Sequence, residues 1–192
     1  MNIEEIKKSK TEILGKNIIY YKEIGSTQDE AKKLINTKID NGTIILADSQ
    51  TKGRGTKENI WYTGSGKNIA MTLVIFPKCT IQKLNGLTKL IAECIVTTIS
   101  DLYNYKLTIK FPNDVFLNGK KIAGILTETS TSKNQVNYIL IGIGVNVNED
   151  KFNLNTVNIA TSLKKEYNKE FSREEIIKRF LEIFENNIKL II

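Results

Sequence analysis

The sequence predicts an α+β domain built on a mixed β-sheet flanked by helices. The predicted elements follow the order helix, two strands, helix, four strands and further helices, which lacks the strict strand–helix alternation of a doubly wound parallel fold. The chain has 192 residues, of which 41% are hydrophobic and 26% are charged, and a chain of this length can form a core of its own. We therefore expect residues 1–192 to form a single domain.

Capping residues and apolar periodicity predict the helices. In GSTQDEA, Ser26 and Thr27 are each followed three residues later by an acidic residue, which predicts a helix over residues 27–35. Ser172, three residues before a glutamate, starts an amphipathic C-terminal helix in the same way. Leucines and isoleucines that recur along one side predict a third helix over residues 81–103.

Short apolar runs between turn residues predict the buried strands. These runs cover residues 43–47, 69–76, 107–111 and 137–148. The dipeptide Asn118-Gly119 between two further apolar runs predicts a hairpin with a type I′ turn. Gly142 and Gly144 lie inside the last strand, where a glycine often marks the close approach of a ligand or of another backbone.

The segment Gln50–Asn68 is predicted to be a long loop, and loops of this length are usually functional or disordered. Gly53 and Gly55 let backbone N–H groups approach an anion, while Arg54 between them offers a planar bidentate donor. A basic surface turn is the alternative interpretation. The GSGKN stretch is not a P-loop, because Trp61 stands where the first glycine is required and an asparagine replaces the final Ser or Thr.

The segment KFPNDV places polar side chains directly after a predicted strand. Pro112 restricts the backbone and so aims the side chains that follow it. Lys110 is suited to neutralising a phosphate and Asp114 to binding Mg²⁺. An ordinary Pro-Asn-Asp turn is the alternative interpretation.

Lys121 and Trp61 are further candidates for ligand contacts. Strict alternation along KIAGIL puts Lys121, Ala123 and Ile125 on one face of the strand. A lysine there would be partly buried and would need an anion. Trp61, in a polar loop, is suited either to stacking on a base or to anchoring the loop.

The absence of histidine narrows the possible chemistry. The sequence contains no histidine and two cysteines, Cys79 and Cys94. Ser-His-Asp and Cys-His catalysis and histidine-ligated metal sites are therefore excluded, and the cysteines do not form a C-x-x-C pair. An enzyme with this sequence must use Lys, Arg, Asp, Glu and backbone dipoles, which suits transfer at phosphorus.

Charge and hydropathy limit the possible partners and the location of the protein. The net charge of +7 attracts nucleic acid, anionic lipid or an acidic protein without choosing among them, and a lysine-rich surface without function is the alternative. No apolar run is long enough to span a membrane. The N-terminus MNIEEIKKSKTEIL lacks the apolar region of a signal peptide, so we expect a cytoplasmic protein.

In their order along the chain, these motifs resemble those of the biotin protein ligases, also called biotin–[acetyl-CoA-carboxylase] ligases. The matching stretches are GSTQDEA, Q-x-x-G-R-G with Trp61 eight residues after Gly53, GKNI, KFPNDV, GKKIAGIL-x-E and IGIGVNVN. The resemblance implies a catalytic domain similar to that of the class II aminoacyl-tRNA synthetases. It also implies a two-step reaction in which biotin and MgATP give biotinyl-5′-AMP, and a lysine of a biotin carboxyl carrier domain then takes the biotin.

The resemblance further implies a role for each residue that matches a motif position. The biotin-binding residues would be Ser26, Thr27, Gln28, Gln50, Gly53, Arg54, Gly55, Thr56, Lys121, Gly124, Gly142 and Gly144. The ATP-binding residues would be Arg54, Trp61, Lys110, Asn113 and Asn146. The catalytic residues would be Lys121, Asp114, Arg54 and Lys110. Asp114 would also be the Mg²⁺ ligand.

From the same resemblance we expect the catalytic domain only, without the N-terminal DNA-binding domain and the C-terminal SH3-like domain that many members carry. We expect no DNA binding and no membrane binding, and a homodimer as one state of the protein. Three alternatives stay open. The first is a lipoate–protein ligase of the same superfamily, the second is a non-enzymatic binder of biotin or its adenylate, and the third is a basic nucleic-acid binder with steeply salt-dependent affinity.

Overall fold

The centre of the structure is a mixed β-sheet. The computed structural model describes residues 1–64, 66–152, 156 and 158–189. The strands in this part of the chain are β1 (Ile18–Ile24), β2 (Ile44–Gln50), β3 (Ile69–Ile75), β4 (Thr108–Lys110), β5 (Asp114–Leu117), β6 (Lys120–Ser132) and β7 (Gln135–Val145). They lie in the order β1-β2-β3-β7-β6-β5-β4. Only β1 and β2 pair in parallel among these strands, so the predicted mixed sheet is confirmed.

Helices cover both faces of the sheet. They are α1 (Ile3–Lys7), α2 (Thr27–Leu34), α3 (Leu87–Tyr103), α4 (Leu163–Tyr167) and α5 (Arg173–Ile188). Because side chains alternate along a strand, Ile44 and Leu46 of β2 face the layer of α1, α3 and α5. Ile45 faces α2, where it packs with Ala31 and Val74. Within the described residues, no helix is both long enough and apolar enough to cross a bilayer.

The local signals in the sequence are confirmed where they act over a few residues. Ser26 Oγ accepts a hydrogen bond from Asp29 N at 3.4 Å and caps α2. Ser172 Oγ caps α5 by accepting from the backbone N–H three residues later at 3.1 Å. Asn118 and Gly119 both have positive φ, 50° and 77°, as a type I′ turn requires.

Other predictions need correction. The continuous helix over residues 81–103 is wrong, because Gly86 has a φ of 83° that a right-handed helix cannot include. A 3₁₀ turn over Ile81–Leu84 precedes this glycine, and α3 follows it. The sequence patterns also missed α1, β1 and α4, which are short or only partly buried. The predicted end of the C-terminal helix, at residues 190 and 191, lies outside the described residues.

A β-bulge changes the face on which Lys121 lies. Two consecutive residues of β5 pair with Ala123 and then with Lys121, so Ile122 is an extra residue in β6. An extra residue reverses the alternation of side chains. The prediction that Lys121 shares a face with Ala123 and Ile125 is therefore wrong. Lys121 instead lies beside Gly124, where an added Cβ would be 3.3 Å from its Nζ.

Glu185 of α5 fastens the segment that precedes β1. Its side chain is buried, with 3% of the residue exposed. The carboxylate accepts hydrogen bonds from the backbone N–H groups of Glu12, Ile13 and Leu14 at 2.5–2.9 Å. One carboxylate thus satisfies three backbone donors outside regular secondary structure.

We expect Glu185→Ala to lower the free energy of unfolding by about 2–4 kcal/mol, because a buried donor without a partner costs roughly 1–3 kcal/mol. Urea unfolding followed by circular dichroism measures this change. Glu4→Ala is the control, since the Glu4 side chain is 77% exposed and its loss should change stability by less than about 0.5 kcal/mol. Equal stabilities of the two variants would contradict the role assigned to Glu185.

Candidate active site

A cleft lies on the α2 face of the sheet. It encloses about 580 Å³, including the part that is open to solvent. Its floor comes from β3, β6 and β7, and its walls come from the first turn of α2 and from the loop that joins β2 to β3. Most of the predicted ligand residues line it, namely Ser26, Thr27, Gln28, Gln50, Arg54, Gly55, Thr56, Trp61, Asn113, Lys121, Gly124, Gly142 and Gly144.

Three glycines lower the floor of the cleft. Gly124 of β6 pairs directly with Gly144 of β7, and neither residue carries a side chain on this face. A Cβ on Gly144 would lie 2.2 Å from the Trp61 ring, and a Cβ on Gly124 would lie 2.9 Å from it. A Cβ on Gly142 would lie 2.7 Å from Oε1 of Gln28. Larger residues would therefore fill the space that the cleft occupies.

Trp61 lies over the paired glycines. Its Nε1 is the one buried side-chain polar atom in the described part of the chain that has no hydrogen-bond partner. Lys121 Nζ lies 5.5 Å from the ring centroid, within the range of a cation–π contact. The loop thus places an aromatic ring on the floor and leaves a donor without an acceptor, and such a donor is rare in folded proteins.

Lys121 and Asp114 meet at the edge of the cleft. Lys121 Nζ lies 2.7 Å from Asp114 Oδ1, and both side chains are partly exposed. Asn113 Nδ2 donates a hydrogen bond to the same carboxylate oxygen at 3.0 Å. The bulge in β6 brings Lys121 to this position, because it turns the lysine toward the face of Gly124.

Arg54 is held by two carboxylates. Its Nη1 donates to Asp29 Oδ1 and its Nη2 donates to Glu128 Oε1, each at 2.8 Å. The hydrogen bond to Glu128 raises the pKa of Arg54. Burial alone would raise the pKa of Glu128, but the hydrogen bonds from Arg54 and Gln28 outweigh burial and the pKa is lowered. Both groups are therefore charged at neutral pH.

Polar side chains form a network at the start of α2. Gln50 Oε1 accepts hydrogen bonds from Thr27 N at 2.8 Å and from Thr27 Oγ1 at 3.1 Å. Gln28 Nε2 donates to Glu128 Oε2 at 2.9 Å, and Gln28 Oε1 accepts from Thr72 Oγ1 at 3.1 Å. These contacts fix the side chains that form this end of the cleft.

Four predicted residues do not line the cleft. Asp114 reaches its edge through the ion pair with Lys121. Gly53 belongs to the loop after β2, and its carbonyl accepts a hydrogen bond from Trp61 N at 2.9 Å. Asn146 is buried and donates to a backbone carbonyl before α4. Lys110 is exposed, and its Nζ lies 5.7 Å from the centroid of a phenylalanine ring on β5.

Several residues of the site are not predicted by the sequence. The additional cleft residues are Asn59, Ile60, Ala70, Met71, Thr72, Ile125, Leu126 and Ile143. The strand residues among them look like ordinary core positions, so the sequence carries no signal for them. Asp29 and Glu128 lie in the motifs GSTQDEA and GKKIAGIL-x-E, which predict a capping role for Asp29 but no contact of either residue with Arg54.

The arrangement suits an anionic ligand with an apolar body. Lys121 and Arg54 are two cations beside a floor of glycine and aliphatic residues, and each already has a carboxylate partner that an anion can replace. Among the described residues, no three side chains of His, Cys, Asp or Glu cluster as a metal site would require. A metal ion would therefore need ligands from the substrate as well.

Comparisons with known proteins agree with this arrangement. A sequence profile of the biotin/lipoate A/B protein ligase family matches residues 20–146. The chain is 38% identical over 182 residues to the bifunctional ligase/repressor BirA of Bacillus spizizenii, a match that covers 94% of this chain and 56% of that protein. It is 37% identical over 124 residues to the biotin–[acetyl-CoA-carboxylase] ligase of Paracoccus denitrificans, covering 64% of this chain and 51% of that protein.

A solved structure shares the fold. The biotin protein ligase from Aquifex aeolicus, in complex with biotin and ATP, matches with a TM-score of 0.76 and 28% identity, covering 91% of this chain and 71% of that chain. The expected biotin ligase fold is thereby confirmed. The chain spans about half the length of the curated relatives that it matches. Since the family profile covers most of the sequence, the chain belongs to the biotin/lipoate A/B protein ligase family.

Proposed function

We propose that this protein is an ATP-dependent biotin protein ligase. It would activate biotin as biotinyl-5′-AMP and transfer the biotin to a lysine of a biotin carboxyl carrier domain. The observation that carries the proposal is the meeting of Lys121, Arg54 and the glycine floor in one cleft. The names of the Paracoccus and Aquifex proteins point to the same substrate.

The two ends of the cleft differ in chemistry. Thr27, Gln28 and Gln50 form a hydrogen-bonding end next to Gly142, which suits the neutral ureido group of biotin. Lys121 lies at the other end, beside the paired glycines, which suits the carboxylate. The floor between the ends would hold the apolar part of the ligand.

The first step is an attack on phosphorus. A carboxylate oxygen of biotin forms a bond to the α-phosphorus of ATP, and the bond to the β-phosphate oxygen breaks as pyrophosphate leaves with the electron pair. Lys121 and Arg54 would stabilise the negative charge that develops on the phosphoryl oxygens. To do so, Lys121 has to exchange Asp114 for the substrate.

The second step is an acyl transfer. The amine of the acceptor lysine attacks the carbonyl carbon of the mixed anhydride, AMP leaves with the bonding electrons, and the amine loses a proton. Lys121 would stabilise the leaving phosphate. Neither step needs a histidine, in agreement with the composition.

Asp114 would serve a Mg²⁺ ion that arrives with ATP. Mg²⁺ in nucleotide sites is commonly bound by one or two carboxylates together with phosphates and water. A single carboxylate next to the amide of Asn113 fits that pattern. The ion would neutralise phosphate charge, and Asp114 would then release Lys121 to the substrate.

The proposal extends to partners and location. The net charge of +7 favours approach of an acidic acceptor domain. We propose that the protein binds neither DNA nor membranes. We also propose that it acts in the cytoplasm, where ATP is supplied. A homodimer is proposed through a sheet edge, since β1 and β4 end the sheet in the described part of the chain. We further propose that one domain carries both steps.

A lipoate–protein ligase is the second candidate function. The family profile joins biotin and lipoate ligases, and the aliphatic side chain of Leu126, which shares the cleft face of β6 with Gly124, would also suit a dithiolane. Biotin and lipoate share the carboxylate and differ in the ring, so the end of the cleft that carries Lys121 does not distinguish them.

A direct assay separates the two candidates. The purified chain is incubated with MgATP and biotin plus a biotin carboxyl carrier domain, and in parallel with MgATP and lipoate plus a lipoyl domain. Intact-mass spectrometry then reads each acceptor. A biotinyl adduct alone supports the proposal, a lipoyl adduct alone moves the protein to the second candidate, and no adduct in either arm contradicts both.

We expect Lys121→Ala to slow biotin transfer by about 10²–10³-fold, because removing one donor that stabilises developing charge costs roughly 2.7–4 kcal/mol. The fold should survive, since the lysine is partly exposed. The matched control is Lys120→Ala, the neighbouring lysine of β6, which does not line the cleft. Equal transfer rates for the two variants would contradict the catalytic role of Lys121.

We expect Gly144→Ala to weaken biotin binding by a factor of about 5–150, because overpacking a filled site typically costs 1–3 kcal/mol. Isothermal titration calorimetry with biotin measures the change. Gly25→Ala is the control, because a Cβ there would meet no atom within 4 Å. Unchanged affinity in Gly144→Ala would show that biotin does not bind over the paired glycines.

A further inference from the structure

Glu128 joins two parts of the cleft that are far apart in the sequence. Its Oε1 accepts from Arg54 Nη2 at 2.8 Å, and its Oε2 accepts from Arg54 Nη1 at 3.3 Å. The second oxygen also accepts from Gln28 Nε2 at 2.9 Å. One carboxylate of β6 therefore binds the loop after β2 and the first turn of α2 at once.

Strand geometry explains why Glu128 faces the cleft. Side chains at alternate positions of a strand share a face, and Gly124, Leu126 and Glu128 follow this spacing on β6 beyond the bulge. Gly124 and Leu126 both line the cleft. Glu128 pairs with Leu140 of β7, which belongs to the apolar layer beneath α2.

Glu128 also fixes the amide of Gln28. An ionised carboxylate only accepts hydrogen bonds, so the NH₂ group of the amide must be the group that faces it. The Gln28 oxygen then points the other way, where it accepts from Thr72 Oγ1 and lies above Gly142. Without the carboxylate, Gln28 Nε2 would keep only its longer hydrogen bond to the Leu140 carbonyl, at 3.5 Å, so the orientation would be held less firmly.

The contact with Arg54 extends to Trp61. Arg54 forms an isolated antiparallel bridge with Ile60, and the neighbouring Gly53 carbonyl accepts from Trp61 N at 2.9 Å. The contacts that hold the Arg54 guanidinium therefore also restrain residues 60 and 61 of the loop, here called the Trp61 limb. That limb carries the indole over the floor of the cleft.

The exposure of these side chains indicates that their ion pairs fix the position of the loop and contribute little to the stability of the whole fold. The Arg54 side chain is 37% exposed and that of Glu128 is 29% exposed. Ion pairs with this degree of exposure contribute little to overall stability, commonly about 0–1 kcal/mol. A loop that opens separately from the rest of the fold can still depend on them.

We propose that Glu128, assisted by Asp29, is a positioning residue that holds Arg54 and Gln28 in place and keeps the Trp61 limb of the loop over the glycine floor. The effect on substrates rests on the proposed ligase function. The effect on the loop does not, because it follows from contacts within the ligand-free chain.

Two ligand-free readouts test the loop in Glu128→Gln. Trypsin cuts after Lys52, Arg54 and Lys57, and we expect about tenfold faster cutting, because cleavage tracks the population of the open form. Trp61 is the sole tryptophan, so its emission should shift to the red as the indole meets water. The midpoint of thermal unfolding should stay within about 3 °C of that of the wild-type protein.

Three comparisons sharpen this test. Glu170→Gln is the matched control, because Glu170 forms an exposed ion pair with Lys164 at 2.6 Å away from the cleft. Glu128→Asp keeps the charge and should restore part of the protection. Raising the salt concentration should speed cleavage of the wild-type loop more than that of Glu128→Gln, since screening weakens an exposed ion pair and the variant keeps only the Arg54–Asp29 pair.

In the ligation assay, we expect Glu128→Gln to raise the KM for biotin by about tenfold and to lower kcat as well, because a loosened Arg54 stabilises the transition state less well. Glu128→Asp should restore part of both. Cleavage and emission equal to those of Glu170→Gln would overturn the proposal. So would a large fall in the unfolding midpoint, because Glu128 would then stabilise the whole fold. If the loop opens in Glu128→Gln while the wild-type protein shows no ligase activity, the positioning role is supported and the proposed function is rejected.

Discussion

The pairing of Gly124 with Gly144 across β6 and β7 is the constraint on which the site depends. Two side chains are missing from one spot on a seven-stranded sheet, so another group can lie directly on the backbone. In the described structure that group is the indole of Trp61. The bulge in β6 adds the charge, because it turns Lys121 toward this spot. Helix α2 and the loop after β2 then form the walls around it.

The charges of the cleft are balanced within the chain, but by contacts of low cost. Lys121 pairs with Asp114, and Arg54 pairs with Glu128, all four side chains being partly exposed. Such pairs contribute little to overall stability, so a substrate anion can replace Asp114 at Lys121 without unfolding the protein. The buried carboxylate of Glu185 is different, because it accepts hydrogen bonds from three backbone N–H groups outside regular secondary structure. The Glu185 carboxylate thus stabilises the fold, whereas the carboxylates of Asp114 and Glu128 pair with the cations of the cleft.

The sequence predicts the features that depend on near neighbours. The caps of α2 and α5 and the NG turn are confirmed, because each is set within four residues. The bulge at Ile122 depends on pairing between strands, so simple alternation assigned the wrong face. Lys110 was expected near the phosphates from its motif, yet it extends over a ring of β5. Thr72 resembles any other core strand residue in the sequence. The role of Glu128 depends on its contact with Arg54, which forms only when the loop has folded.

The central claim is that the paired glycines form the biotin floor and that the Trp61 limb of the loop lifts off them to cover the biotin. A crystal structure of the chain with bound biotin tests it most directly. The account predicts density for biotin over Gly124 and Gly144, with its carboxylate beside Lys121 and the indole lifted to cover it. Biotin bound elsewhere, with the indole still on the two glycines, would contradict the account.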